Sequence, residues 1–512
     1  MNERNLAGLA ATVLQPGFVG TAPPDWVRRW LADGLGAVVL FARNVVDPEQ
    51  VAALTATLRA ERPDVLVAID EEAGDVTRIE SGLGSSRPGN LALGAVDDPA
   101  LTEEVARDLG GELAALGITL NYAPDADVNI NPANPVIGVR SFGADPHLVA
   151  RHTAAWVRGL QSAGVAACAK HFPGHGDTRV DSHHDLPRIE ASRARLDTGE
   201  LVPFRAAVAA GVQAVMTGHL LVPALDPDLP ATLSRRILGD LLRDELGFSG
   251  VVVTDAVEMR AVADRYGFAG AAVRALVAGA DAICVGGERA DEATARYLRD
   301  AIVAAVLSGE LPEERLAEAA KRVGQLAEWS TAARLGRPAD APRPVDGSPV
   351  GLTAARRAVR VSGDPTGRLP LTGAAHVVEF APPHNIAIGA ETPWGLGAPL
   401  ADLLPGTTTV RLTEADLSAE PADLSAELGG PAAAAGDPAG GAAGRPLVLV
   451  VRDLHRHGWM RAAVDRALAS RPDAVVVELG VPELVTGRLH LATHGATRAA
   501  ARAAAELLAG SR

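Results

Sequence analysis

The chain is poor in several residue types, and each shortage excludes something. Two cysteines in 512 residues, Cys168 and Cys284, sit far apart inside apolar runs (VAACAK and DAICVG), so neither a disulfide framework nor a CxxC metal site is present. Both are expected as buried thiols in strands. Lysine occurs only at Lys170 and Lys321, and arginine carries the remaining basic charge. Aromatic residues make up 3%, too few for the stacking platforms of single-strand nucleic-acid binders. Basic charge is also outweighed: 63 Asp and Glu against 48 Lys and Arg leave a formal charge of −15, which disfavours nucleic acid and anionic membrane as partners. No apolar run reaches ~18 residues, the length a membrane span requires. The opening MNERNLAGLAATVLQPGF is a poor secretory signal, and a cytoplasmic location is expected.

The rest of the composition is that of an ordinary folded protein, with 47% hydrophobic and 22% charged residues. At ~100–200 residues per domain, the length suits two domains. Short apolar runs recur through the first 290 positions: GAVVLFARN, DVLVAIDEE, GITLNYAPD, GVAACAKHFPG, GVQAVMTGHL, GVVVTDAVEM and GADAICVGG. Helical patterns such as DPEQVAALTATLRAE separate them. Continuous apolar strands alternating with helices predict a parallel sheet covered on both faces, and the number of units approaches the eight of a (β/α)8 TIM-type barrel. Arg43, Asp70, Asp125, Lys170, His171, His219 and Asp255 fall at the C-terminal ends of these runs, the rim that carries the active site in barrels.

The expected division is a barrel over 1–335, a linker over 336–352 rich in Pro, Gly and charge, and a smaller α/β layered (αβα) domain over 353–512. Within the last, 419–445 is low-complexity and reads as a loop. No internal repeat is found.

The densest chemistry lies in AKHFPGHGDTRVDSHHDLP (169–187), which holds Lys170, His171, His175, Asp177, Asp181, His183, His184 and Asp185. Gly174 and Gly176 predict a sharply bent backbone after a strand. Asp181 and His183 are spaced so that a turn brings the carboxylate to one imidazole nitrogen and leaves the other facing outward, the arrangement of a general acid/base. A solvated polar loop with a structural Asp–His contact is the alternative that this spacing leaves open. Asp255, at the tip of GVVVTDAVEM, is placed either to act as a nucleophile or metal ligand or to cap the following helix.

KHFPGHGDT followed by DSH, with a downstream strand ending TDAVEM, resembles glycoside hydrolase family 3, in particular its bacterial β-N-acetylglucosaminidase branch. GAVVLFARN, VAIDEEAGDVTR, NPVIGVRSFG and LTEEVARDLGGELAALGITLNYAPDADV resemble family segments in the same order, over roughly residues 5 to 335. The resemblance implies a barrel and a retaining double displacement. It makes Asp255 the nucleophile and His183 the general acid/base, oriented by Asp181. Asp70, Arg140, Lys170 and His171 become sugar-binding residues, Lys170 as a compact ammonium that arginine's fork would not replace well. Retaining glycosidases usually use two carboxylates, and this branch is an exception. His175 is read as loop-shaping. Where the family often reads DQEGGRV, this chain has Ala73 in place of Gly and Asp75 in place of Arg, which removes a positive charge.

The expected activity is exo-acting removal of terminal β-N-acetylglucosamine from cell-wall fragments or chitooligosaccharides, by a monomer or homodimer without cofactor or resident metal. Phosphorolysis is the alternative within the same site, because a neutral histidine acid/base repels phosphate less than a carboxylate does. A β-glucosidase would instead take its acid/base from the second domain, where Glu379 and Glu391 are candidates. A catalytically dead sugar-binding module is disfavoured by the joint presence of Asp181, His183 and Asp255. A metal-dependent hydrolase would use His171, His175, Asp177, His183 and His184, against which the HxxxH lies on a glycine-containing loop rather than a helix.

Overall fold

The computed structural model describes residues 3–178, 186–335, 347–383, 385, 387–389, 392–419 and 444–511. Three of its long helices begin at an Asp-Pro step: Pro48–Glu61, Pro99–Ala115 and Pro146–Ser162. In each, the aspartate side chain accepts first-turn backbone N–H groups. Asp47 accepts from Gln50, Asp98 from Ala100 and Leu101, and Asp145 from His147. Proline supplies a preset φ at a position whose N–H has no helical partner, so the dipeptide starts the helix by itself.

The chain divides into two compact units. The first comprises Met1–Glu72, Asp98–Ile137 and Ser141–Val345. Its strands are β1 (Leu14–Pro16), β2 (Ala37–Leu40), β3 (Leu66–Ile69), β4 (Leu120–Asn121), β5 (Ala166–Phe172), β6 (Ala214–Thr217), β7 (Val251–Thr254) and β8 (Ile283–Val285). Strands β2 to β7 form one parallel sheet in sequence order, and β1 pairs in parallel with β8. A bridge between Val253 and Ala282 joins β7 to the residue preceding β8. In this unit the strand absent from the sequence reading is β1, three residues long and closed by Pro16.

Alternate residues of these strands converge in one cluster that includes Val39, Ala68, Tyr122, Cys168, Met216, Val253 and Cys284. Two positions per strand, spaced i and i+2, face this interior, as the period of an extended chain requires. Both cysteines are buried and free, as the apolar runs around them predict.

The second unit comprises Asp346–Arg512 together with Ala73–Asp97 and Gly138–Arg140. It is therefore not the uninterrupted C-terminal stretch that composition suggests. Asp75 pairs with Arg452 at 2.6 Å, and its Oδ1 accepts the Ala496 N–H at 2.9 Å. Glu80 pairs with Arg498 at 2.9 Å. A Cβ at Gly351 would meet the Ser86 carbonyl at 2.5 Å, so only glycine admits this approach. The helix Pro349–Ala358 begins inside the stretch read as linker.

The second unit's sheet has the order β11 (Thr408–Leu412), β10 (His376–Phe380), β12 (Leu447–Val451), β13 (Val475–Glu478), β14 (Leu489–Ala492) and β9 (Arg360–Gly363). It is parallel except for β9, which runs antiparallel to β14. Val377, Val448 and Val450 face one apolar cluster with Leu400 and Leu508 of the helices Gly397–Leu403 and Arg498–Ala509. Val378, Leu449 and Val451 face another with Met460 and Val464 of Gly458–Ser470. Helices thus cover both faces of this sheet. Most of the low-complexity stretch, 420–443, lies outside the described residues.

Candidate active site

The polar residues of the first unit gather beyond the C-terminal ends of its strands. Asp70 follows β3 directly, and Lys170 lies in β5 with only 2% of its side chain exposed. A buried ammonium needs anionic partners. The Lys170 Nζ contacts Asp70 Oδ1, and it reaches Glu72 Oε1 at 2.6 Å. The turn bearing these two carboxylates is held by Asn121 of β4. The Asn121 Oδ1 accepts the Glu71 N–H at 3.0 Å, and its Nδ2 donates to the Glu71 carbonyl at 2.7 Å.

His171 is anchored from below by Asp127, which is fully buried. The imidazole Nδ1 lies 2.8 Å from Asp127 Oδ2. Asp127 Oδ1 accepts the His175 N–H at 2.6 Å and the His171 N–H at 3.3 Å. Burial pushes the Asp127 carboxyl upward, yet the His171 imidazole, the His175 ring and the His175 N–H together hold it below its ordinary value. An ionised carboxylate only accepts, so Nδ1 of His171 carries the proton.

His175 shapes the loop, as expected: its Nδ1 lies 2.8 Å from the Thr178 hydroxyl, and Asn134 donates to its carbonyl at 2.9 Å. Gly174 has φ +126°, and a Cβ at Gly176 would lie 1.9 Å from the Val128 carbonyl. Both glycines are therefore required by backbone conformation or close approach.

Asp255 follows β7. Its N–H donates to the Thr217 carbonyl of β6 at 3.1 Å, and its Oδ1 accepts the Ala256 N–H at 2.8 Å. The next helix, Arg260–Tyr266, has Met259 at its N-cap, so Asp255 does not cap it. His219 supports this tip by donating from Nε2 to the Ala256 carbonyl at 3.0 Å, with Nδ1 2.8 Å from the Thr232 hydroxyl. Three residues beyond Asp255, Glu258 Oε1 accepts the N–H groups of Gly286 and Gly287 at 2.8 and 2.7 Å, which ties the turn to the end of β8.

The thiols of the interior cysteines are held neutral by their surroundings. Burial pushes the Cys168 thiol up, with Lys170 opposing and Asp70 and Asp255 adding. Burial likewise raises Cys284, and Glu258, Asp255 and Asp70 add to it. Asp70, Lys170 and Asp255 stand at the C-terminal ends of β3, β5 and β7 of one parallel sheet.

The remaining predicted residues fall elsewhere. Arg140 is buried on the turn Gly138–Arg140 of the second unit, where its carbonyl accepts from Asn90 Nδ2 at 2.7 Å. Asp181, His183, His184 and Glu391 lie outside the described residues. Glu379 is buried and spent: it accepts the N–H groups of Leu396 and Gly397 and pairs with Arg411 at 2.5 Å. Among the described residues, the carboxylate and imidazole atoms close enough to share a metal ion are those of Asp125, Asp127 and His171, which lie within 4.8 Å of one another. Of the described members of the metal-ligand set suggested by sequence (His171, His175 and Asp177), His171 alone belongs to this group.

Residues 11–326 match the model of the glycosyl hydrolase family 3 N-terminal domain. The chain belongs to glycoside hydrolase family 3. Beta-hexosaminidase A of Pseudoalteromonas piscicida is 36% identical over 330 residues, 60% of this chain and 55% of that one, so the match spans about half the length of that relative. The beta-hexosaminidase of Stenotrophomonas maltophilia (strain K279a) is 40% identical over 277 residues, 52% of this chain and 82% of that one. A glycoside hydrolase family 3 beta-N-acetylglucosaminidase from Paenibacillus sp. str. FPU-7 has a similar structure, with a TM-score of 0.85 at 36% identity, covering 99% of this chain and 96% of that one.

The sequence named Asp70, Lys170, His171 and Asp255, but assigned no role to Glu72, Asn121, Asp127 or Glu258, and placed His219 only at a strand end. Glu72 carried a signal: it is a second carboxylate two residues after Asp70 at the end of an apolar run. The others act across strand pairings that no local pattern displays.

Proposed function

We propose that this family 3 member is an exo-acting retaining β-N-acetylglucosaminidase built on an eight-stranded (β/α)8 barrel, acting on cell-wall fragments or chitooligosaccharides in the cytoplasm. The observation that carries the reading is the gathering of Asp70, Lys170, His171 and Asp255 at the strand ends, in a chain that also contains the DSH tripeptide. The names of the similar proteins, beta-hexosaminidase and beta-N-acetylglucosaminidase, support the sugar assignment. No helix among the described residues is long and apolar enough to cross a membrane.

In this reading Asp70, Lys170 and His171 hold the terminal sugar, and Arg140 is included on the family motif alone. The Asp255 carboxylate attacks the anomeric carbon as the glycosidic C–O bond breaks. The departing oxygen takes a proton from His183, which Asp181 orients. Water then gives a proton back to His183, its oxygen attacks the same carbon, and the bond to Asp255 breaks with overall retention.

The test is release of p-nitrophenol from the aryl β-N-acetylglucosaminide and the aryl β-glucoside, each with and without phosphate. Preference for the N-acetyl sugar without phosphate is expected. A strict phosphate requirement with sugar 1-phosphate as product would replace hydrolysis by phosphorolysis, and preference for the glucoside would remove the sugar assignment.

A further inference from the structure

Lys170 has two carboxylates within reach, and they are not equivalent. Glu72 is 3% exposed on its side chain, against 31% for Asp70. Of the two carboxylates, Asp70 is the one exposed enough for water or a ligand hydroxyl to meet it. The two carboxylates lie two residues apart on the segment after β3, and both reach Lys170. The Asn121 clamp on Glu71 fixes the peptide between them.

We propose that Glu72 is a positioning residue of the sugar subsite, neutralising Lys170 from the dry side so that Asp70 keeps its acceptor strength for sugar hydroxyls. This inference rests on the reading of Asp70 and Lys170 as sugar-binding residues. Were Asp70 the sole counter-ion, the buried ammonium would compete with the sugar for the same carboxylate oxygens. With Glu72 present, Lys170 remains charged and fixed whether or not a ligand draws on Asp70. A desolvated ammonium with a single shared partner would be costly at the moment of binding.

The experiment is a double-mutant cycle of Glu72→Gln and Asp70→Asn, with Michaelis parameters on the aryl N-acetylglucosaminide and melting temperatures for each variant. Glu72→Gln is expected to raise KM about tenfold or more while changing kcat by less than about threefold, because it weakens substrate holding rather than bond breaking. In the Asp70→Asn background the same change is expected to alter KM by less than about threefold, since its effect passes through Asp70. An unchanged KM in Glu72→Gln, or an equal effect in both backgrounds, overturns the proposal. An Asp70→Asn variant with normal KM overturns the sugar-binding reading itself, and is distinguishable because it appears without any change at Glu72. If Glu72→Gln does not fold, Glu72→Asp retains the charge but withdraws it by one methylene. That variant is expected to raise KM in the same sense, and an unchanged KM there also overturns the proposal.

Discussion

The imidazole Nδ1 of His171 lies 2.8 Å from the buried carboxylate of Asp127. The same carboxylate takes the His175 N–H, so one side chain fixes both the tautomer of His171 and the bend of the following loop. Asp127→Asn keeps the volume but places an amide against N–H groups that require an acceptor. We expect kcat/KM on the aryl N-acetylglucosaminide to fall at least tenfold, about 1.4 kcal/mol of transition-state stabilisation. Leaving a buried donor unpaired should also cost about 1–3 kcal/mol of stability. Activity within twofold of the parent would remove Asp127 from the site.

Asp255→Asn is expected to abolish turnover, on the order of 10⁴-fold or more, with the circular dichroism spectrum unchanged. Its backbone N–H bond to Thr217 does not involve the substituted group, so the strand tip should persist. Appreciable residual turnover would exclude it as the nucleophile.

For His183 the informative comparison is between leaving groups. His183→Ala should slow substrates with alkyl or sugar aglycones far more than p-nitrophenyl glycosides, because an acidic phenol departs with little protonation. Equal losses on both would assign the proton to another residue.

Asp75 stands where the family often has arginine, and its charge is answered by Arg452 at 2.6 Å. Burial pushes the Asp75 carboxyl up despite this partner. Asp75→Ala should therefore strand a buried guanidinium and lower stability by about 3–5 kcal/mol, read by denaturant unfolding. Joint replacement by Asp75→Leu and Arg452→Met should recover much of the loss. Additive losses in the double variant would show that the pair is not an isolated ion pair.

His494 gives an acid-stability prediction. Burial lowers its pKa from 6.5 to about 4, with Arg360 adding to the effect. Below pH 6.5 the unfolded chain binds a proton that the folded chain refuses until about pH 4, so stability is lost as pH falls through that window, by at most about 3 kcal/mol. His494 has φ +62°, a conformation that asparagine tolerates. His494→Asn should flatten the stability profile between pH 6.5 and 4, and an unchanged slope would assign the acid sensitivity to other groups.

Much of the fold is legible from local pattern. Asp-Pro steps start helices because capping and φ are properties of two adjacent residues. Continuous apolar runs such as VVVT and AVMT become strands buried on both faces. Strand β1 escaped this reading because three residues ending at Pro16 carry no period.

What the sequence determined by itself was the chemistry offered at each strand end: Asp70, Lys170, His171 and Asp255 stand directly after or within apolar runs, where any parallel α/β arrangement brings reactive groups to one rim. Tertiary structure alone decided how those groups are held. Glu72 meets Lys170 across 98 residues of chain, Asn121 grips Glu71, Asp127 orients His171, and Ala73–Asp97 belongs to the second compact unit rather than the first. Each of these depends on strand register and on the balance between desolvation and pairing of a buried charge. Those quantities arise only once distant segments share the same low-dielectric interior.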